Sequence, residues 1–138
     1  RRFGLTIAGL AIAWLTMLAL TGPLLVDHEI HESSNAAQAQ DLASAVNHAE
    51  TARSIEPWAA TPYMQLGLLA QEKGEFPEAI GRFGQAIDRE DHNWVLYYLR
   101  ARALHQAGQN EAAQNDLNEA KRLNPLETCL TEGFEGCG

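Results

Sequence analysis

A five-residue segment, Tyr63-Met64-Gln65-Leu66-Gly67, returns 34 residues later as Tyr97-Tyr98-Leu99-Arg100-Ala101. The same offset pairs Gly74 with Gly108, Ala79 with Ala113, Phe83 with Leu117 and Ala86 with Ala120. Self-similarity at a fixed period of this length implies a stacked helix–turn–helix unit, because each unit can bury its apolar face only against its neighbours. Within the unit, small residues (Gly67, Ala79, Ala101, Ala113) let two helices approach closely, and large ones (Tyr63, Phe83, Tyr97, Leu117) fill the space left over. Gly74 and Gly108 fall where helix C-termini take a left-handed cap. Pro77 suits the first turn of a following helix, and Asn124-Pro125 ends the last one.

These residues resemble the tetratricopeptide repeat family. The first full repeat supplies Tyr63, Leu66, Gly67, Ala70, Ala79, Phe83 and Ala86, but has Asp91 where the family has proline. The second supplies Tyr97, Ala101, Leu104, Ala113, Leu117, Ala120 and Pro125, with Arg100 in place of leucine. Upstream, Ala45, Ala49, Ala52 and Pro57 match the second half of a repeat, whereas Glu29 and Glu32 stand where tyrosine and leucine are expected. That upstream unit therefore reads as degenerate. Residues 33–54 are Ala-rich with apolar spacing (Ala36, Leu42, Ala43, Val46, Ala49, Ala52) and read as one long stalk-side helix, with Ser33 or Ser34 at its start.

From Phe3 to Val26 no residue is charged. The run is long enough for a membrane-spanning helix, which needs roughly 20 apolar residues. A secretory signal has a shorter apolar core and a small-x-small cleavage site, and Thr21-Gly22-Pro23 is a poor one. A buried core helix is the remaining alternative. Arg1-Arg2 before the run, and Asp27, His28, Glu29 and Glu32 after it, orient the N-terminus to the cytoplasm and the repeats outside. The fold class expected is thus all-α: one N-terminal transmembrane helix followed by a short helical-hairpin solenoid. Helices are predicted at 3–24, 33–54, 60–73, 77–90, 94–107 and 111–123. The corresponding regions are 1–26 (membrane), 27–59 (degenerate repeat), 60–93 and 94–127 (two repeats) and 127–138 (a Cys-containing tail).

All 18 acidic residues follow Val26, while two of the ten basic residues precede the run, so the remainder carries a net charge near −10. Such a balance argues against nucleic acid and against an anionic membrane surface. Cys129 and Cys137 lack a zinc-motif spacing. Outside the cytoplasm they can form a disulfide across the glycine-containing tail; inside they are free thiols. The tail is expected to be loosely ordered unless these cysteines tie it down.

The family resemblance implies a ligand groove lined by the first helix of each hairpin. Its positions are Thr61, Met64, Gln65 and Leu68, then Val95, Tyr98, Leu99, Arg102 and His105. Met64, Gln65, Leu68, Tyr98, Arg102 and His105 are the candidate contacts for a protein partner, a peptide or a helix. The competing reading makes some of them core or contacts to the N-terminal helix. The lysine and asparagine pattern of the family's carboxylate clamp is absent, so chaperone-tail binding is not expected. His28-Glu29-Ile30-His31-Glu32 lacks zinc-protease spacing and reads as a polar exit from the membrane. No nucleophile elbow, phosphate loop or dinucleotide fingerprint occurs, and neither a cofactor nor a metal is implied. Trp58 and Trp94 are either interaction anchors or, more commonly, packing between hairpins.

A membrane-tethered, non-enzymatic scaffold for an envelope assembly follows from these features. The alternative is the C-terminal accessory region of a multi-spanning O-antigen ligase or polysaccharide polymerase-like protein. The stretches Ala52–Pro57, Asn93-Trp94 and Lys121–Pro125 resemble the tails of such proteins. A soluble secreted enzyme finds no residues to carry it.

Overall fold

The computed structural model describes residues 21–137. Among them the chain forms six α-helices and a closing 3-10 segment. Helix α1 covers residues 21–38 as far as they are described, and is followed by α2 (Leu42–Ile55), α3 (Thr61–Glu72), α4 (Phe76–Ile87), α5 (Trp94–Gln106) and α6 (Asn110–Leu123). The 3-10 segment spans Thr128–Glu135. Neighbours in sequence pack on one another, α3 also touches α5, and Gln65 of α3 reaches Ser33 of α1. The first helices of the hairpins, α1, α3 and α5, therefore share one face of an all-α solenoid. The four helices predicted at 60–73, 77–90, 94–107 and 111–123 are present with small shifts at their ends.

The periodic small and large residues meet as the repeat pattern requires. Phe83 is fully buried between Ala70, Ala79, Leu99 and Ala103. A Cβ added to Gly67 would lie 2.6 Å from Phe83 Cε1, so this helix pair closes only because residue 67 has no side chain. One repeat later, Ala101 packs with Leu117 and Ala120. In the first hairpin Ala45 and Ala49 meet Leu66 and Leu69 of the next.

The turn inside each hairpin is built alike. Gly74 has φ 76° and Gly108 has φ 78°. Gly74 N–H donates to Gln71 O and Glu75 N–H to Ala70 O, while Gly108 and Gln109 repeat those bonds to His105 and Leu104. These are Schellman caps, in which the left-handed residue turns the chain and two orphan carbonyls are satisfied.

The single helix predicted over 33–54 is two helices. The chain breaks after residue 38, and Gln40 takes φ 62°. Gln40 N–H donates to Ala37 O and Asp41 N–H to Ala36 O, the same cap one period upstream of Gly74. The Asp41 side chain then accepts from Ser44 N–H and caps α2. The Ser44 hydroxyl and backbone hold its carboxyl below the usual carboxylate range. The degenerate unit is thus a complete hairpin, held by Ser33 Oγ donating to Ala45 O (2.8 Å) and by His48 against Glu29 (2.7 Å). Ser33, expected to cap a helix, is instead buried inside one.

Arg100, which replaces the family leucine, also has a structural reason. It makes two bonds to the nearly buried Asp116 of α6, at 2.6 and 2.8 Å. That hydrogen-bonded carboxylate holds the guanidinium pKa above its ordinary value. Charge replaces an apolar contact across the last hairpin.

The membrane segment expected over residues 3–26, with the cytoplasmic Arg1-Arg2, lies outside the described residues except for its last six, which open α1. Among the described residues no helix is long and apolar enough to cross a membrane.

Two substitutions test this construction. Gly67→Val should lower the unfolding free energy by about 1–3 kcal/mol through overpacking against the Phe83 ring, read by chemical denaturation. At the turns, Gly74→Ala should lose about 1–2 kcal/mol, because an L-residue there must take a left-handed φ. Gln40→Gly should be neutral to stabilising, and a loss as large as that of Gly74→Ala would contradict the shared cap.

Candidate functional site

The six candidate groove residues separate into two groups. Gln65 is buried, and its amide Nε2 donates to Ser33 Oγ at 3.2 Å. It therefore joins two hairpins and does not face a ligand. Tyr98 is also buried; its hydroxyl donates to Phe134 O at 2.8 Å and accepts from Cys137 N–H at 2.9 Å. His105 is exposed at its edge, but its ring stacks on Phe134 with centroids 4.4 Å apart, and Nδ1 meets Asn110 Oδ1 at 2.9 Å.

The C-terminal tail causes both of the latter arrangements. Cys129 and Cys137 are joined as a disulfide with Cα atoms 5.0 Å apart. The loop so closed buries Leu130 against Tyr98, Ala101, Leu117 and Ala120. Thr128 lies one 34-residue period beyond Trp94, so the 3-10 segment stands where the first helix of a further repeat would begin. It covers the apolar face that the last hairpin leaves over. The tail is therefore packed, and Tyr98 and His105 are withdrawn from the groove by it.

Met64, Leu68 and Arg102 remain. Met64 packs half-buried against the clusters around Tyr63 and Phe83. Leu68, Gln71 and Glu72 of α3 face Arg102 and Gln106 of α5 around an open cavity of about 290 Å³. Gln71 Nε2 donates to Gln106 Oε1 at 2.7 Å, linking the two helices. Gln71 Oε1 and Arg102 Nε are both buried at the atom level and have no hydrogen-bond partner. Arg102 makes no ion pair among the described residues; its guanidinium lies 6.0 Å from the Tyr98 ring centroid. Both groups lie beside the same open cavity, so a solvent molecule or a ligand entering it can meet them. A carboxylate suits the guanidinium, and a backbone N–H suits the amide oxygen. Gln71 and Gln106 were not anticipated from sequence. Their only signal is position, three and four residues beyond Leu68 and Arg102 on the same helix faces.

Other singled-out residues lie elsewhere. Glu29 is engaged by His48, and His31 Nε2 is 3.9 Å from Asp27 on the exposed side of α1. Trp94 packs half-buried against the last cluster, with Tyr97, whereas Trp58 stands 70% exposed. The packing expectation therefore holds for Trp94 and fails for Trp58, which stands open in the short α2–α3 connection.

Residues 70–127 match the family model described as Tetratricopeptide repeat. The chain is 32% identical over 77 residues to human Tetratricopeptide repeat protein 6, an alignment covering 56% of this chain and 15% of that protein. It therefore spans a small part of the curated relative it matches. The TPR domain of Arabidopsis OM64 superposes with TM-score 0.72 at 19% identity, covering 79% of this chain and 90% of that one. The TPR2B domain of yeast Sti1, in a complex with pHsp70, gives TM-score 0.70 at 20% identity, covering 73% and 81%. At these identities the structural likeness carries the fold alone. The family model thus matches the chain over residues 70–127, and the structural likeness shows the helical solenoid fold.

The tail contacts predict that Tyr98→Phe, which removes the hydroxyl shared by Phe134 O and Cys137 N–H, will raise amide hydrogen exchange across 128–137. The expected loss of stability is about 1–3 kcal/mol, because two backbone groups lose their partner. Unchanged exchange in that segment would show that the disulfide alone holds the tail.

Proposed function

We propose that this chain is a membrane-tethered interaction scaffold whose α3–α5 groove takes an extended segment of a partner protein. The observation that carries the reading is the pair of unsatisfied groups, Gln71 Oε1 and Arg102 Nε, on the cavity floored by Leu68. Leu68 and the neighbouring Met64 offer the apolar contact, Arg102 the charge, and the Gln71 side-chain oxygen an acceptor for a backbone N–H. This arrangement suits a peptide with one apolar side chain and a carboxylate close to it. The repeat fold supports a protein partner, and the yeast Sti1 domain is one structural neighbour solved in such a complex. The groove positions are Met64, Leu68 and Arg102 of the sequence expectation, without Gln65, Tyr98 and His105 and with Gln71 added. Neither cofactor nor metal enters the reading, and no enzymatic step is assigned to the domain.

Residues 3–26 form the tether on this reading, with the N-terminus cytoplasmic and the repeats extracytoplasmic, in an envelope assembly. The repeat regions remain 27–59, 60–93 and 94–127, and the tail is 127–138. The disulfide in the tail fits an oxidising compartment.

A second reading, the accessory tail of an O-antigen ligase-like protein, is favoured by one further observation. The three stretches that carry that resemblance, at 52–57, 93–94 and 121–125, all fall at the edge of the solenoid that holds the first described turns of α1. Their shared place at that edge suits a domain seated beside a larger membrane body.

Crosslinking and affinity capture of the C-terminally tagged gene product from native membranes tests both. The scaffold reading expects a recovered partner whose binding weakens about tenfold or more in Arg102→Ala, as loss of a charged hydrogen bond predicts. The circular dichroism melt should stay unchanged, since Arg102 makes no ion pair among the described residues. Binding that survives Arg102→Ala and Leu68→Ala together would remove the groove from the function. A tagged product far larger than this chain, copurifying with glycan-assembly components, would favour the second reading.

A further inference from the structure

The large apolar side chains that stand most exposed among the described residues are Leu24 (72%), Leu25 (52%), Trp58 (70%) and Leu126 (90%). All four lie on one edge of the solenoid. Leu24 and Leu25 are in the first described turns of α1, Trp58 is in the α2–α3 connection, and Leu126 follows the end of α6. In an array of antiparallel hairpins, this edge collects the start of every first helix and the end of every second one. Two contacts hold it together. Pro23, Val26 and Ile30 of α1 share a cavity with Glu56, Ala59 and Thr61. Arg89, at the end of α4, donates to Pro57 O at 2.9 Å and lies 3.7 Å over the Tyr63 ring.

The opposite edge is different. Its turns, at 39–41, 73–75 and 107–109, expose Gln40, Asp41, Lys73, Glu75 and Gln109, and no large apolar side chain. Scattered apolar residues on a surface need no explanation, but a collection at one edge and none at the other does. The charge-free run of residues 3–26 enters the domain at this same edge through Leu24 and Leu25.

We propose that this edge rests on the headgroup region of a zwitterionic bilayer, with Trp58 and Leu126 inserted at the interface two repeats apart. The proposal rests on the tether reading given above. Tryptophan suits the interface because its ring is apolar and its N–H can stay wet. The lipid class follows from charge. Between Trp58 and Leu126 the α4–α5 connection exposes Asp88, Glu90 and Asp91, while its one arginine, Arg89, is committed to Pro57 and Tyr63. Three exposed carboxylates are repelled by an anionic surface and tolerated by a neutral one. Seated in this way, the domain is fixed at two points beyond its tether and cannot swing freely about α1.

The test uses the full chain in phosphatidylcholine vesicles, in two single-tryptophan forms. One keeps Trp58 (Trp14→Phe with Trp94→Phe), and the other keeps Trp14 within the apolar run (Trp58→Phe with Trp94→Phe). Quenching by lipids brominated near the headgroup or deep in the acyl chain reports depth. Trp58 should be quenched severalfold more by the shallow label than by aqueous iodide, and this preference should fall when phosphatidylglycerol is added. Trp58 open to iodide, with Trp14 quenched by the deep label, overturns the docking and leaves the tether standing. Trp14 untouched by the deep label overturns the tether and the docking with it. Hydrogen exchange of the unsubstituted chain reads the same edge without any tryptophan change. Protection at 56–60 and 124–127 in vesicles relative to detergent is expected, and equal exchange in both overturns the proposal.

Discussion

The close approach of paired helices at positions that carry almost no side chain is the constraint on which the rest of the molecule depends. Gly67 lies against the Phe83 ring, and Ala101 lies beside Leu117 and Ala120. Interiors pack at crystal-like density, so one added methyl group at such a contact must displace a ring or a backbone. The 34-residue period follows from this requirement. Each hairpin must present its small residue at the same height as the large residue of its partner, and the Schellman turns at Gln40, Gly74 and Gly108 keep that height constant.

A solenoid built this way has an open face at its last hairpin. Here the disulfide-closed tail covers it, placing Leu130 on the apolar surface and bonding the Tyr98 hydroxyl twice. Closing that face engages Tyr98 and His105, two side chains expected from the sequence to stand free. What remains is a shorter groove between α3 and α5, in which Arg102 stands without an ion pair among the described residues.

Much of the fold was legible because helix pairing in repeats is governed by local size alternation, and size is written residue by residue. Four helices, two glycine caps and the all-α class came from that alternation. The upstream unit was read as degenerate, but its turn was missed for a specific reason. Gln40 occupies the left-handed position, and glutamine carries none of the signal that glycine does. Arg100 broke the leucine pattern because its partner, Asp116, is 16 residues away on another helix. The candidate site was legible only in part. Leu68, Met64 and Arg102 were reachable through the family resemblance, whereas Gln65 and Tyr98 were lost to Ser33 and to the tail, contacts of long sequence separation.

By itself the sequence determined the period, the hairpin unit, the acidic surface of the region after Val26 and the apolar run before it. These depend on spacing and composition, which do not change when the chain folds. Only the tertiary structure decided which side chains stay free. Exposure is a property of what packs above a residue, so the engagement of Tyr98, the isolation of Arg102 and the grouping of Trp58 with Leu126 on one edge appear only once the hairpins are stacked.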